Sequence, residues 1–179
     1  MPDVDDPQLV KIKTYATTRS SQSVGSGECF DLADQALKDA GAKSAADYGK
    51  VTPTADYKWG RKINATDAKP GDVVQYKDYK VEIKVTTVTT NADGSSETSF
   101  TTETQTRPHH TAVVSTKGAD GAMTVLEQNV DGDRTVKERP LPAASSKKVD
   151  ASKSGTSTVT VTTEVKVSGE AKVYRPEKK

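Results

Sequence analysis

Gly25-Ser26-Gly27-Glu28-Cys29-Phe30-Asp31-Leu32-Ala33 is the stretch on which the reading of this chain turns. Its first residues punctuate a loop and its last residues open a helix. Phe30, Ala33, Ala36, Leu37 and Ala40 recur at helical spacing, and Gly41 follows as a C-cap. The pattern predicts a helix over 28–40, with Asp31 and Asp34 in its first turns, where the macrodipole favours carboxylates. Cys29, the only cysteine, then falls at the helix start. A free thiol has a pKa of ~8.5, and a helix N-terminus lowers that value. Gly25 and Gly27 let the backbone turn sharply and let another group approach. A lone cysteine is ordinarily a small buried hydrophobe. A buried cysteine of that kind needs neither flanking glycines nor open helix amides.

Composition bounds the rest. The 179 residues are read as one domain with polar appendages, since 32% are hydrophobic and 5% aromatic. Twenty-six basic and 25 acidic residues leave a net charge of +1, which argues for neither a nucleic acid nor an anionic membrane as partner. No apolar run approaches the roughly 20 residues that span a bilayer. The acidic start, Met1-Pro2-Asp3-Val4-Asp5-Asp6, lacks an apolar signal core, and the compartment stays open. One cysteine excludes an internal disulfide, and one Cys with two adjacent His argues against a structural zinc site. No cofactor is expected.

Working outward, residues 10–15 read as a short strand or extended arm and 44–48 as a weaker helix or irregular stretch. Pro70-Gly71-Asp72 is a turn leading into a strand at 73–76. Residues 81–106 are dense in Thr, with a turn at Asn91-Ala92-Asp93-Gly94, and read as an inserted two-stranded ribbon that Pro108 ends. Strands follow at 110–114, 123–127 and 134–139. Residues 143–157 read as irregular, and 158–167 as a second Thr-rich strand that pairs with or extends the ribbon. A closing strand at 171–174 precedes a charged tail.

Partners for Cys29 come from the later strands. His109 and His110 are the only histidines. In a strand they face opposite ways, and His110 shares its phase with Ala112 and Val114, which favours it as the base. His109 reads as a loop residue. Glu127 and Asn129 lie two apart and share a face if their strand continues. Either could orient the imidazole, as the third member of a triad does, and the other could donate to an oxyanion. Taken singly, a strand-end His, a strand-end carboxylate and a turn Asn are ordinary structural residues.

Taken in order, Gly27-Glu28-Cys29, Pro70-Gly71-Asp72-Val73-Val74, His110-Thr111-Ala112-Val113-Val114 and Leu126-Glu127-Gln128-Asn129 resemble a CHAP domain, within the NlpC/P60 and papain-like superfamily. The resemblance covers about 20–140 plus 171–175. It implies an α+β papain-like fold, with an N-terminal helix carrying Cys29 packed on a small antiparallel sheet. It also implies hydrolysis of peptide or amide bonds, typically in peptidoglycan. The hydrolase is read as metal-independent and as a monomer, since the Lys and Thr density of the ribbons argues against pairing through their exposed edges. By it, Cys29 is the nucleophile, His110 the base, Glu127 the orienting residue and Asn129 an accessory polar group. The chain departs from the pattern in three ways. Glu28 stands where Gln is usual, Asp31 stands where a second aromatic is usual, and Thr-rich segments are inserted at about 81–106 and 145–168. Those segments carry the alternative reading, a non-catalytic module that binds a protein partner through its ribbons.

Overall fold

The computed structural model describes residues 2–53, 55–119, 121–142 and 144–179. Among them it is α+β, with two α-helices, α1 (Asp6–Thr17) and α2 (Cys29–Asp39), and seven strands. The strands are β1 (Arg61–Ile63), β2 (Val73–Thr90), β3 (Ser96–Lys117), β4 (Met123–Glu127), β5 (Lys137–Leu141), β6 (Ser146–Ser154) and β7 (Ser157–Arg175). They form one sheet in the order β1-β7-β2-β3-β4-β5, with β6 paired to β7. Contacts divide the chain into two compact units: residues 1–79, 107–143 and 169–179, and residues 80–106 and 144–168.

The first unit holds the core. Leu9, Ile12 and Ala16 of α1 and Leu32, Ala33, Ala36 and Leu37 of α2 cluster with Trp59, Val73, Val113, Leu126 and Val136. The alanines let α2 pack closely, while Leu32 and Leu37 supply most of its buried area. Gly71 turns the chain into β2 with φ of 96°, and a Cβ there would meet the Leu9 carbonyl oxygen at 2.2 Å. Next to it, the fully buried Asp72 accepts from the Lys69 N–H and from Arg175 of β7, at 2.7 and 2.6 Å. This ties the strand at one end of the sequence to the turn near its middle.

Several expectations need correction. Residues 10–15 are helix, not strand. Their apparent alternation is overridden by the capping box of Asp5 and Gln8, by Pro7 in the first turn, and by the Leu9-Ile12-Ala16 stripe, with Val10 left 61% exposed. The helix carrying Cys29 is therefore the second of the chain, and its sheet is larger than a minimal one. The second strand of the ribbon and the strand expected at 110–114 are one continuous strand, β3, which runs through Pro108. Pro is tolerated there because β4 pairs with β3 only from Val113 to Lys117, leaving Pro108 on an edge. His109 accordingly lies in a strand, not a loop. Residues 146–154 are strand as well. All nine residues are exposed, so the backbone ladder to β7, with the Lys147–Glu164 ion pair at 2.9 Å, holds them, and the apolar pattern gives no sign of it. The strand expected at 134–139 is shifted to β5, behind a turn at 130–133. The terminal tail is pinned by backbone bonds from Val4 to Pro176 and from Lys43 to Glu177, both 2.9 Å.

The second unit contains the outer parts of β2, β3 and β7 together with β6. Hydrogen bonding of Ser157 to Asn91 and the Lys166–Glu82 approach run in opposite directions along β7 and β2, as an antiparallel pair requires. Phe100 and Val149 are its most exposed apolar side chains, at 68% and 57%.

Candidate active site

Two glycines shape the loop before α2. Gly25 and Gly27 have φ of 61° and 87°, the left-handed region that other residues enter only with strain. The Asp31 carboxylate folds back to accept from the Ser26 N–H and hydroxyl, at 2.8 and 2.6 Å, and a Cβ on Gly25 would collide with it. Cys29 thereby becomes the first residue of α2. Glu28, the N-cap, makes no side-chain capping bond, so its side chain leaves the first helix amides uncapped.

The end of β4 supports this loop from the other side. Gln128, almost fully buried, accepts from the Val24 N–H at 3.0 Å and donates to the carbonyls of Val24 and Glu28 at 2.9 and 2.6 Å. Replacing it with Leu strands three backbone groups and should lower stability by about 2 kcal/mol or more. A urea melt followed by the fluorescence of Trp59 checks this. Asn129 does not share a strand face with Glu127. The strand stops at Glu127 and Asn129 takes φ of 61°, from where its amide donates to Glu28 Oε2 at 2.6 Å. Glu28 Oε1 faces Arg134 at 3.1 Å.

His110 projects from β3 with its Nε2 3.0 Å from Glu127 Oε2, both side chains buried. The contact is an ion pair lying off the ring N–H direction. The Cys29 thiol is also a hydrogen-bond partner of the ring. Burial alone would lower the His110 pKa, but the bonds to Cys29 and then to Glu127 outweigh it and carry the ring up to about 9. Glu127 shows the mirror case. Burial would raise its pKa, and the bonds from Arg107 and His110 hold it down to about 2. The ring is therefore an imidazolium facing a carboxylate across the neutral range.

Cys29, His110, Asn129 and Glu28 line a cleft of about 400 Å³. Such a volume suits a small molecule or a short peptide segment. The apolar part of its lining includes Phe30, Val51, Pro53 and Tyr57. Phe30 packs on Tyr57 and Trp59 with ring centroids 5.2 and 5.3 Å apart. His109 also lines the cleft. Its ring stands edge-on to Tyr57 at 4.9 Å and its Nε2 meets the Ala55 carbonyl, so it braces Ala55 and Tyr57. Glu127 lies behind His110, outside the lining. Among the described residues no three His, Cys, Asp or Glu side chains gather as metal ligands would, and no helix is long and apolar enough to cross a membrane.

Sequence reasoning passed over Arg107, Gln128 and Tyr57. Arg107 sits at the end of a Thr-rich run and looks like a solvated ribbon residue. Its Nε and Nη2 instead meet Glu127 Oε2 and Oε1 at 2.9 and 2.5 Å. A Gln between two singled-out residues, on the strand face opposite to theirs, was the one signal for Gln128.

Residues 10–179 match the family model of the AIM3/BBC1 cysteine proteinase-fold domain. The chain belongs to this family. The matched span of the AIM3/BBC1 domain runs across both units, including the Thr-rich segments. The family description names a cysteine-proteinase fold, which agrees with a papain-like architecture, and it does not name the CHAP or NlpC/P60 branch. Comparison with curated proteins and with solved structures returned no match.

Proposed function

We propose that this domain is a cysteine hydrolase of peptide or amide bonds, with Cys29 as nucleophile, His110 as acid and base, and Glu127 as the group that orients His110. The observation that carries the proposal is that the His110 ring, 3.0 Å from the buried Glu127 carboxylate, lines one cleft with Cys29. A cation beside a thiol favours the thiolate, which is the nucleophilic form. The Cys29 sulfur attacks the carbonyl carbon and forms a C–S bond. The Cys29 backbone N–H, at the helix start, faces the resulting oxyanion. The His110 imidazolium gives its proton to the leaving nitrogen as the C–N bond breaks. Water then attacks the thioester with His110 as base, and the carboxylic acid leaves. The CHAP resemblance narrows the substrate to peptidoglycan stem or cross-bridge peptides, and it is the sole support for that narrower choice.

The test is the alkylation rate of Cys29 by iodoacetamide at pH 6.5. His110→Ala should slow it about tenfold or more. Equal rates in the two proteins would remove the pair and the hydrolase with it.

A second reading has one observation in its favour. The Asn129–Glu28 bond joins two polar residues of the cleft beside Cys29, as it would in a fold kept for binding alone. The exposed strands of the second unit would then be the contact surface for a protein partner. An unreactive Cys29 selects this reading.

A further inference from the structure

The least expected feature of the first unit is a buried guanidinium. Arg107 is 4% exposed, and the Glu127 it grips is 1% exposed. Nε bonds Oε2 at 2.9 Å and Nη2 bonds Oε1 at 2.5 Å, so both carboxylate oxygens are held by one planar group. Oε2 is also the oxygen that faces His110. The Tyr76 ring lies 5.8 Å from the guanidinium carbon and walls the pair. We propose that Arg107 is a positioning residue for His110: its two-pronged grip fixes the rotation and the charge of the Glu127 carboxylate, so that Oε2 is presented to the ring.

The geometry explains why a guanidinium is required. A buried carboxylate with one partner can rotate or take up a proton, and either change leaves the imidazole without its anchor. Two parallel bonds stop the rotation. A positive charge at this distance opposes protonation, and the bonds from Arg107 are the largest influence lowering the Glu127 pKa. Other groups face Glu127 too. From β3 there is His110, from β5 Arg139 with Nε 3.4 Å from Oε1, and from β2 Tyr76 and Tyr79, near enough to feel its charge. Among these, Arg107 alone bonds both oxygens.

The inference rests on the proposed hydrolase for its kinetic part only. Its test follows the Glu127 carboxyl carbon and the His110 ring by NMR from pH 1.5 to 9.5, so that the midpoint near 2 is crossed, with the alkylation rate of Cys29 measured alongside. In Arg107→Gln the carboxyl titration should move up by about one pH unit or more, and the acid limb of the alkylation profile should move with it. Arg107→Lys keeps the charge and loses the two-pronged geometry. It should hold the carboxyl titration low while the plateau alkylation rate falls severalfold and the His110 ring signals broaden or shift. In a Glu127→Gln background, Arg107→Lys should have no further effect on the rate. A lower melting temperature in Arg107→Gln with an unmoved carboxyl titration would make Arg107 structural only. Should Arg107→Gln not fold, an Arg107→Lys protein identical to wild type in rate and ring signals overturns the proposal. An unreactive Cys29 in the wild type would end the hydrolase reading, and the two NMR signals would still decide the role of Arg107.

Discussion

Cys29→Ala will abolish hydrolysis of any peptide or amide substrate the wild-type domain turns over. The expected loss is about 10⁴-fold or more, the scale on which removal of a nucleophile acts. The fold should survive, because Cys29 is only partly buried and sits at the first position of α2, where Ala suits the helix. The substitution also removes the thiol from His110. The ring then keeps its ion pair with Glu127, and its pKa should fall from about 9. Product release from a fluorogenic peptide panel and from labelled peptidoglycan measures the first effect, and NMR titration of His110 the second. Residual turnover in Cys29→Ala sinks the nucleophile assignment. Cleavage of peptides but not peptidoglycan would keep the hydrolase and discard the narrower substrate class.

What was legible in the sequence was whatever local chemistry dictates. The apolar residues 30, 33, 36 and 37 produce α2, and Pro70-Gly71-Asp72 turns into β2 at Val73. The strand at 123–127 has the bounds its residues suggest. Cys29, His110 and Asn129 meet at one cleft, with Glu127 directly behind His110. What escaped was fixed by partners distant in sequence. Arg107 differs from its exposed neighbours only because Glu127, on another strand, receives it. Gln128 faces the loop that it bonds across about a hundred residues of chain. The β6 strand has no apolar face, and the α1 stripe was obscured by a two-residue alternation that ends in solvent at Val10. Asn129 left its expected strand face because the backbone turns left-handed there, which Asn tolerates.

Glu127→Ala should be the most destabilising substitution of the site. It leaves the guanidinium of Arg107 and the His110 ring buried without their shared anion, a situation that costs about 3–5 kcal/mol. Glu127→Gln keeps the shape and should cost less. The same carboxylate sets how stability varies with pH. Its folded pKa of about 2 lies below the ordinary 4.5, so its contribution is complete above pH 4.5 and is lost as pH falls toward 2. His110 acts in the opposite sense. Its folded pKa of about 9 lies above the ordinary 6.5, so its contribution is complete below pH 6.5 and is lost as pH rises through 9. Each arm is on the order of 3 kcal/mol, and the two share one ion pair, so they do not add. Stability should therefore plateau between about pH 4.5 and 6.5 and fall on both sides. Urea melts at pH 3, 5.5 and 8.5 test this, with the single Trp59, fully buried in the first unit, as reporter. Glu127→Gln should remove the acid limb and weaken the alkaline one, where Cys29 still acts on the ring. A wild-type profile level from pH 3 to 8.5 would mean that the buried charges are not linked to folding as the geometry requires.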